Sequence, residues 1–194
     1  MNQSFFESKQ MRIIYTVTDG HGTEGIVMPK LSHGNRVVVV RLVHDDVVDC
    51  DAVITSNKIL SLGIRTADCA PICFSDGEKI GIAHVGWRGL CLGLIEKMIC
   101  TFNQSSLEIV IGPRIDSFLI TRDACYERIV TKFGERFFRF NDDEITFMFK
   151  DAIASLVPQH AIFDVRSTNG DTTLPSHRRD TTSKRLLTVV QFNT

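Results

Sequence analysis

Nowhere does the sequence carry an apolar run approaching the roughly 18 residues that a membrane-crossing helix requires. Its opening residues, MNQSFFESKQMRIIY, contain no continuous apolar stretch of the kind a secretory leader has. A cytoplasmic protein with no membrane partner is therefore expected. Charge of one sign is also lacking: 22 Lys and Arg stand against 23 Asp and Glu, giving a formal net charge of -1. With no basic stripe there is no electrostatic footprint for nucleic acid. Local CxxC and HExxH spacings are absent, so no single short motif declares a metal site. There is no internal repeat and no low-complexity linker.

What is present fits a folded chain. Hydrophobic residues make up 43% and charged residues 23%, a balance that favours a packed core over disorder. A length of 194 residues suffices for one substantial core and leaves two domains cramped, so residues 1–194 read as a single domain. Of the six cysteines, Cys69, Cys73, Cys91 and Cys100 lie in apolar segments, where reduced thiols serve as small core residues.

Short β-branched runs bounded by turn residues predict strands at Met11 to Val17, Arg36 to Val43, Ala52 to Thr55, Ile72 to Ser75 and Lys79 to His84. Asp76-Gly77 between the last two marks a tight turn, which sets Cys69 and His84 together at the open end of one hairpin. After Gly89, the residues Cys91, Leu94, Ile95, Met98, Ile99 and Phe102 share one helical face. Leu107 to Ile111 reads as a strand, Arg122 to Phe133 and Ile145 to Leu156 as helices, Val165 to Thr182 as a polar loop, and Leu186 to Phe192 as a closing strand. The mixture predicts an α+β fold, with a mixed β-sheet core and flanking helices.

Three residues at strand-loop junctions have the chemistry of metal ligands: His33 in Ser-His-Gly-Asn, Cys69 in Thr-Ala-Asp-Cys, and His84 before Val-Gly-Trp-Arg-Gly. Neutral imidazole and thiolate suit zinc, and three protein ligands leave one position open for water or substrate. Taken singly, each has a bland alternative: a buried thiol, a hydrogen-bonded core imidazole, a surface turn residue. Cys73 lies four residues after Cys69, on the same face if the strand extends that far, and reads as a core thiol or an extra ligand.

Taken together, the segments Asp51-Ala-Val-Ile-Thr, Thr66-Ala-Asp-Cys-Ala-Pro and Ile82-Ala-His-Val-Gly-Trp-Arg-Gly-Leu resemble the signature of the YfiH-like laccase-domain (polyphenol oxidase) family. His33-Gly-Asn-Arg-Val, Ile111-Gly-Pro-Arg-Ile, Cys125-Tyr-Glu and Ser176-His-Arg-Arg-Asp continue the likeness across about residues 30 to 192. The resemblance implies a metal held by His33, Cys69 and His84, zinc first and copper as the alternative. It also implies phosphorolysis of adenosine, inosine and methylthioadenosine, with accompanying adenosine deaminase activity; the partners are then a purine nucleoside and phosphate. A multicopper oxidase needs several coppers and many imidazoles, whereas this chain has six histidines in all, so laccase chemistry stands second.

In that reading the metal orients phosphate toward the ribose anomeric carbon while the departing purine gains a proton. Cys69 and His84 belong to the catalytic set, and Asp68, beside Cys69, is the first acid to test; its alternative is a carboxylate that braces the site. Arg88, Arg178 and Arg179 have the guanidinium fork suited to phosphate, a surface ion pair being the plain alternative. His177 is a further substrate contact or a loop residue. Trp87, the one tryptophan, reads as an anchor of its turn, and Gly86 and Gly89 as points of close backbone approach.

The likeness weakens in places. Family members usually run longer, and the N-terminal part looks shortened here. A Ser-Thr-Arg-x-Gly-Gly segment seen in the family is reduced to Tyr15-Thr-Val-Thr-Asp-Gly without the arginine. Ser167-Thr168 replaces a Cys-Thr pair, and Ser183-Lys184 precedes Arg185 where a glycine is expected. A metal-binding protein with lost catalysis is therefore a third reading, and a thiol hydrolase using Cys69 and His84 a fourth; a metal-bound thiolate would rule the last one out.

Overall fold

Alternation of side chains along four central strands sets the architecture. The computed structural model describes residues 3–20, 23–45 and 47–193. In chain order the elements are β1 (Gln3–Glu7), β2 (Met11–Thr18), β3 (Ile26–Val27), β4 (Val37–Val39), β5 (Ala52–Thr55), β6 (Ser61–Thr66), β7 (Ala70–Ser75) and β8 (Ile80–Val85). Next come α1 (Trp87–Cys91), α2 (Leu94–Cys100), β9 (Glu108–Ile111), β10 (Phe118–Ile120), α3 (Ala124–Phe133), β11 (Phe138–Asn141) and β12 (Glu144–Phe147). The chain ends through α4 (Phe149–Ala154), β13 (Ile162–Phe163), α5 (His177–Asp180) and β14 (Arg185–Phe192).

A mixed six-stranded sheet runs in the order β13-β9-β7-β8-β5-β4, and a five-stranded sheet in the order β1-β2-β14-β6-β3. The third sheet, β10-β12-β11, is small and antiparallel. Because successive side chains point to opposite faces, Ile72, Phe74, Ala83, Val85, Ile109 and Ile111 join one core with α1, α2 and the small sheet. Their neighbours Cys73, Ile80, Ile82 and Val110 join a second core against the five-stranded sheet. The central strands β5, β7 and β8 are thus covered on both faces, which explains why they are apolar throughout rather than alternating. The α+β expectation with a mixed sheet holds.

The β7–β8 hairpin forms as its sequence indicates, with Ser75 opposite Ile80 and Pro71 opposite His84. Asp76 closes the turn by accepting the N–H groups of Glu78 and Lys79 at 3.1 and 2.8 Å. The helix expected after Gly89 is two helices, because Gly93 takes the left-handed conformation at φ 77° and turns the chain between α1 and α2. The strand expected over Arg36 to Val43 shrinks to β4: the Asp45 carboxylate accepts the N–H groups of Arg41 and Leu42, turning the chain there. Nor is the segment from Ile145 one helix. Ile145 and Phe147 pair with Ile120 and Phe118 on one side and with Phe140 and Phe138 on the other, making β12, and α4 starts only at Phe149. Tertiary pairing overrides the helical pattern there. The polar stretch Val165 to Thr182 contains α5, capped by the Ser176 hydroxyl on the N–H of Arg179 at 3.1 Å.

Candidate metal centre

His84, on the last full turn of the pleat in β8, and Cys69, just before β7, meet at the open end of the hairpin, as the turn at Asp76-Gly77 requires. His33 arrives from a separate loop. Ligand atoms of His33, Cys69 and His84 all lie within 4.8 Å of one another, and the two imidazoles sit edge to face with centroids 4.7 Å apart. His84 is buried, Cys69 half-buried and His33 exposed. The sulfur and the two nitrogens are close enough to converge on one ion with zinc–nitrogen bonds of about 2.0–2.1 Å and a zinc–sulfur bond of about 2.3 Å. The donor set therefore fits a metal, with its outer side open toward His33.

The side chain that assembles this cluster is Asp51, fully buried at the entry to β5. Its Oδ1 lies 2.9 Å from Nδ1 of His84 and accepts the N–H of His33 at 2.9 Å. Its Oδ2 accepts from the N–H of Gly34 at 2.7 Å and from the Ser32 hydroxyl at 2.8 Å. His33 has φ 59°, in the left-handed region, and these bonds hold it there. Sequence reading placed Asp51 within a motif and gave it no role. The available signal was an aspartate opening an apolar strand, where an unpartnered carboxylate would be costly.

Electrostatics follow from the same contacts. Burial works against a charged His84, but the Asp51 carboxylate and the Cys69 sulfur outweigh it and raise the imidazole to about 9. Burial likewise opposes the Cys69 thiolate, yet hydrogen bonds and charge from His33 and His84 bring it down to about 7. Although burial pushes it upward, Asp51 is held far below the carboxylate range by His84, Gly34 and Ser32. Without a metal the cluster is thus an imidazolium–thiolate pair poised near neutrality.

Asp68 also has a positive φ, 83°. Its Oδ1 accepts the Thr168 hydroxyl at 2.7 Å and its Oδ2 accepts the N–H of Arg178 at 2.8 Å. Both oxygens are therefore engaged in joining the Cys69 loop to the segment that carries α5. Arg178 spreads its guanidinium over the Phe118 ring, 4.0 Å from the centroid. Arg179 is taken up by its surroundings: it donates to the carbonyls of Thr168 and Leu174 and pairs with Asp180. His177 is exposed on α5. Arg88 is exposed and lies 5.3 Å over Trp87, which packs against the first core. Gly86 makes room for the cluster, since a Cβ there would sit 3.0 Å from the Cys69 sulfur. Cys73 is buried in the second core and outside the ligand group, and burial raises its thiol far above the ordinary range.

One cavity opens beside His33 and a second adjoins it. The first, about 620 Å³, is lined by His33, Trp87, Arg88 and Arg128 among others. The other, about 440 Å³, lies toward the small sheet between Trp87, Ile145 and Arg178. They share Trp87, Asp123 and Cys125. The structure thus sets Arg88 beside His33 at one cavity and Arg178 in the next, beyond Trp87, while the Arg179 guanidinium is used inside its own loop.

Residues 9–193 match the family described as multi-copper polyphenol oxidoreductase laccase. The chain belongs to that family. An Aquifex aeolicus protein named purine nucleoside phosphorylase is 33% identical over 177 residues, covering 87% of this chain and 84% of that protein. A Rickettsia prowazekii protein of the same name is 28% identical over 193 residues, covering 92% and 80%. In fold the chain is similar to a solved Neisseria meningitidis structure, with a TM-score of 0.85 at 17% identity over the whole of both chains. Bacillus licheniformis YfiH gives a TM-score of 0.76 at 21% identity, covering 90% of this chain and 76% of that one. The YfiH-like resemblance read from the motifs is thereby borne out. Among the described residues no helix is long and apolar enough to cross a membrane.

Proposed function

We propose that the protein is a zinc-dependent purine nucleoside phosphorylase acting on adenosine, inosine and methylthioadenosine, with adenosine deaminase as a side activity. The observation that carries this reading is a three-ligand His-Cys-His cluster, open on one side, facing a cavity lined by an arginine with no carboxylate partner among the described residues. The names of the Aquifex and Rickettsia relatives support it. The family's description favours a second reading, a copper-dependent phenol oxidase. Against it stands the ligand count: among the described residues one such group exists, where a multicopper oxidase needs several.

A zinc ion held by His33, Cys69 and His84 would supply Lewis-acid polarisation of phosphate, or of water in the deaminase reaction. The chain's own residues do the rest. Asp51 accepts the Nδ1 proton of His84, which leaves Nε2 as the ligand atom and fixes the ring. Arg88 binds the phosphate with its fork and holds it at the open face. Trp87 and Arg178 wall the adjoining cavity that receives the purine. Asp68 is a positioning residue, because donating a proton would first require giving up its bond to Thr168 or to Arg178. Arg179 keeps the loop of α5 in shape.

The test is hypoxanthine release from inosine by the zinc-loaded protein, with and without phosphate, under air and under argon. Release that requires phosphate and ignores oxygen, and that a Cys69→Ala variant loses, supports the proposal; no base release here, with oxygen uptake on a phenol by the copper-loaded protein, would replace it with the copper oxidase.

A further inference from the structure

A third cavity, about 480 Å³, continues the opening on the side away from Arg178. Arg88, Cys91, Leu92, Arg128, Thr131 and Lys132 line it, and it shares Arg88, Leu92 and Arg128 with the His33 cavity. Neither Arg88 nor Arg128 is paired with a carboxylate among the described residues. Lys132 is half neutralised by Glu96 at 2.5 Å. Cys91 adds no negative charge at neutral pH, since burial pushes its thiol up to about 11. With Arg88 on the shared rim and laid over Trp87, Arg128 and Lys132 give the outer cavity its positive charge, and the planar fork of Arg128 matches a phosphate.

The phosphorolysis reading uses Arg88, on the rim that the two cavities share, and leaves Arg128, Thr131 and Lys132 without a role. We propose that it holds the phosphate group of a nucleoside 5′-phosphate. The placement rests on the proposed function: with the anomeric carbon at the His-Cys-His cluster, the base hangs from that carbon and the 5′ carbon from the ring carbon across the ring oxygen, so the two project from opposite ends of one face of the ribose. The cavities have the same order. The Trp87–Arg178 cavity adjoins the metal side across Trp87, and the basic cavity adjoins it across Arg88 and Arg128. A free inorganic phosphate has the same chemistry, so the two sources must be separated by experiment.

Calorimetric titration of the zinc-loaded protein with inosine, inosine 5′-monophosphate and inorganic phosphate does so, comparing the natural chain with Arg128→Gln. Arg128 is exposed on α3 and its side chain makes no hydrogen bond among the described residues, so this variant leaves the fold intact. The expected result is monophosphate binding at least about tenfold tighter than inosine, one charge-assisted contact's worth. Arg128→Gln should remove most of that preference while inosine and inorganic phosphate bind as before. Equal affinity for inosine and its monophosphate overturns the inference. So does a variant that weakens inorganic phosphate and keeps the monophosphate preference, which would give the cavity to the free ion. Turnover is read separately: a protein that prefers the monophosphate through Arg128 but releases no base keeps this inference and loses phosphorolysis. One that phosphorolyses inosine without the preference does the reverse.

Discussion

One carboxylate, that of Asp51, accepts the backbone N–H of His33 and lies 2.9 Å from Nδ1 of His84, so a single buried side chain fixes the backbone of one ligand and the ring of the other. Asp51→Asn keeps the shape and removes the charge. Metal affinity, measured by competition with a chromogenic chelator, should fall by about 10–100-fold. Unchanged affinity would mean that the hairpin and the His33 loop position the ligands without this tether.

Proton release reports the same pairing. His84 is raised to about 9 and Cys69 lowered to about 7, so between these values the metal-free protein carries a protonated His84 and an ionised Cys69. Metal needs the neutral imidazole, and binding at pH 8 should therefore liberate about one proton from His84. Lowering the pH toward 6 adds the Cys69 proton, so release grows and affinity weakens; raising it toward 9 strengthens binding, which then levels off. Calorimetry in two buffers of different ionisation enthalpy measures the count. Release that shrinks on acidification would contradict the imidazolium–thiolate pair.

Gly86 has an ordinary extended backbone, so Gly86→Ala costs the fold little. Its new Cβ would stand 3.0 Å from the Cys69 sulfur and crowd the ligand. Metal content after dialysis against weak chelator should drop while the melting temperature of the metal-free protein stays within a few degrees. A fully loaded variant would show that the sulfur has room to shift.

For Cys73 the expectation is opposite. Buried in the core between the two large sheets, it contributes packing, so Cys73→Ala should cost about 1 kcal/mol in urea unfolding and leave metal stoichiometry untouched. Loss of metal would make it a fourth ligand after all.

How far the sequence carries depends on whether the information is local. The β7–β8 hairpin was legible because the Asp-Gly turn and its two apolar arms lie within a few residues, and Cys69 and His84 came with it. The end of α3 was legible for the same reason; its start at Ala124 depends on the Asp123 carboxylate accepting from Cys125 and Tyr126. The His33 loop is held at the cluster by bonds to Asp51, 18 positions from His33, and periodicity does not record that contact; the family motifs do. β12 was hidden because Ile145 and Phe147 satisfy helical spacing as well as strand alternation, and the two strands that flank them decide. Arg178 and Arg179 look equivalent in sequence. The fold separates them, laying one guanidinium over Phe118 and spending the other on the carbonyls of Thr168 and Leu174.

The central claim is that phosphate, not water or oxygen, takes the sugar. Phosphorus NMR of the zinc-loaded protein with inosine and inorganic phosphate tests it directly. The account predicts a new phosphate-ester resonance, that of ribose 1-phosphate, growing in step with hypoxanthine and absent when His33, Cys69 or His84 is replaced by Ala. Hypoxanthine without the ester would show hydrolysis, and neither product would show that the cluster binds its metal for another purpose.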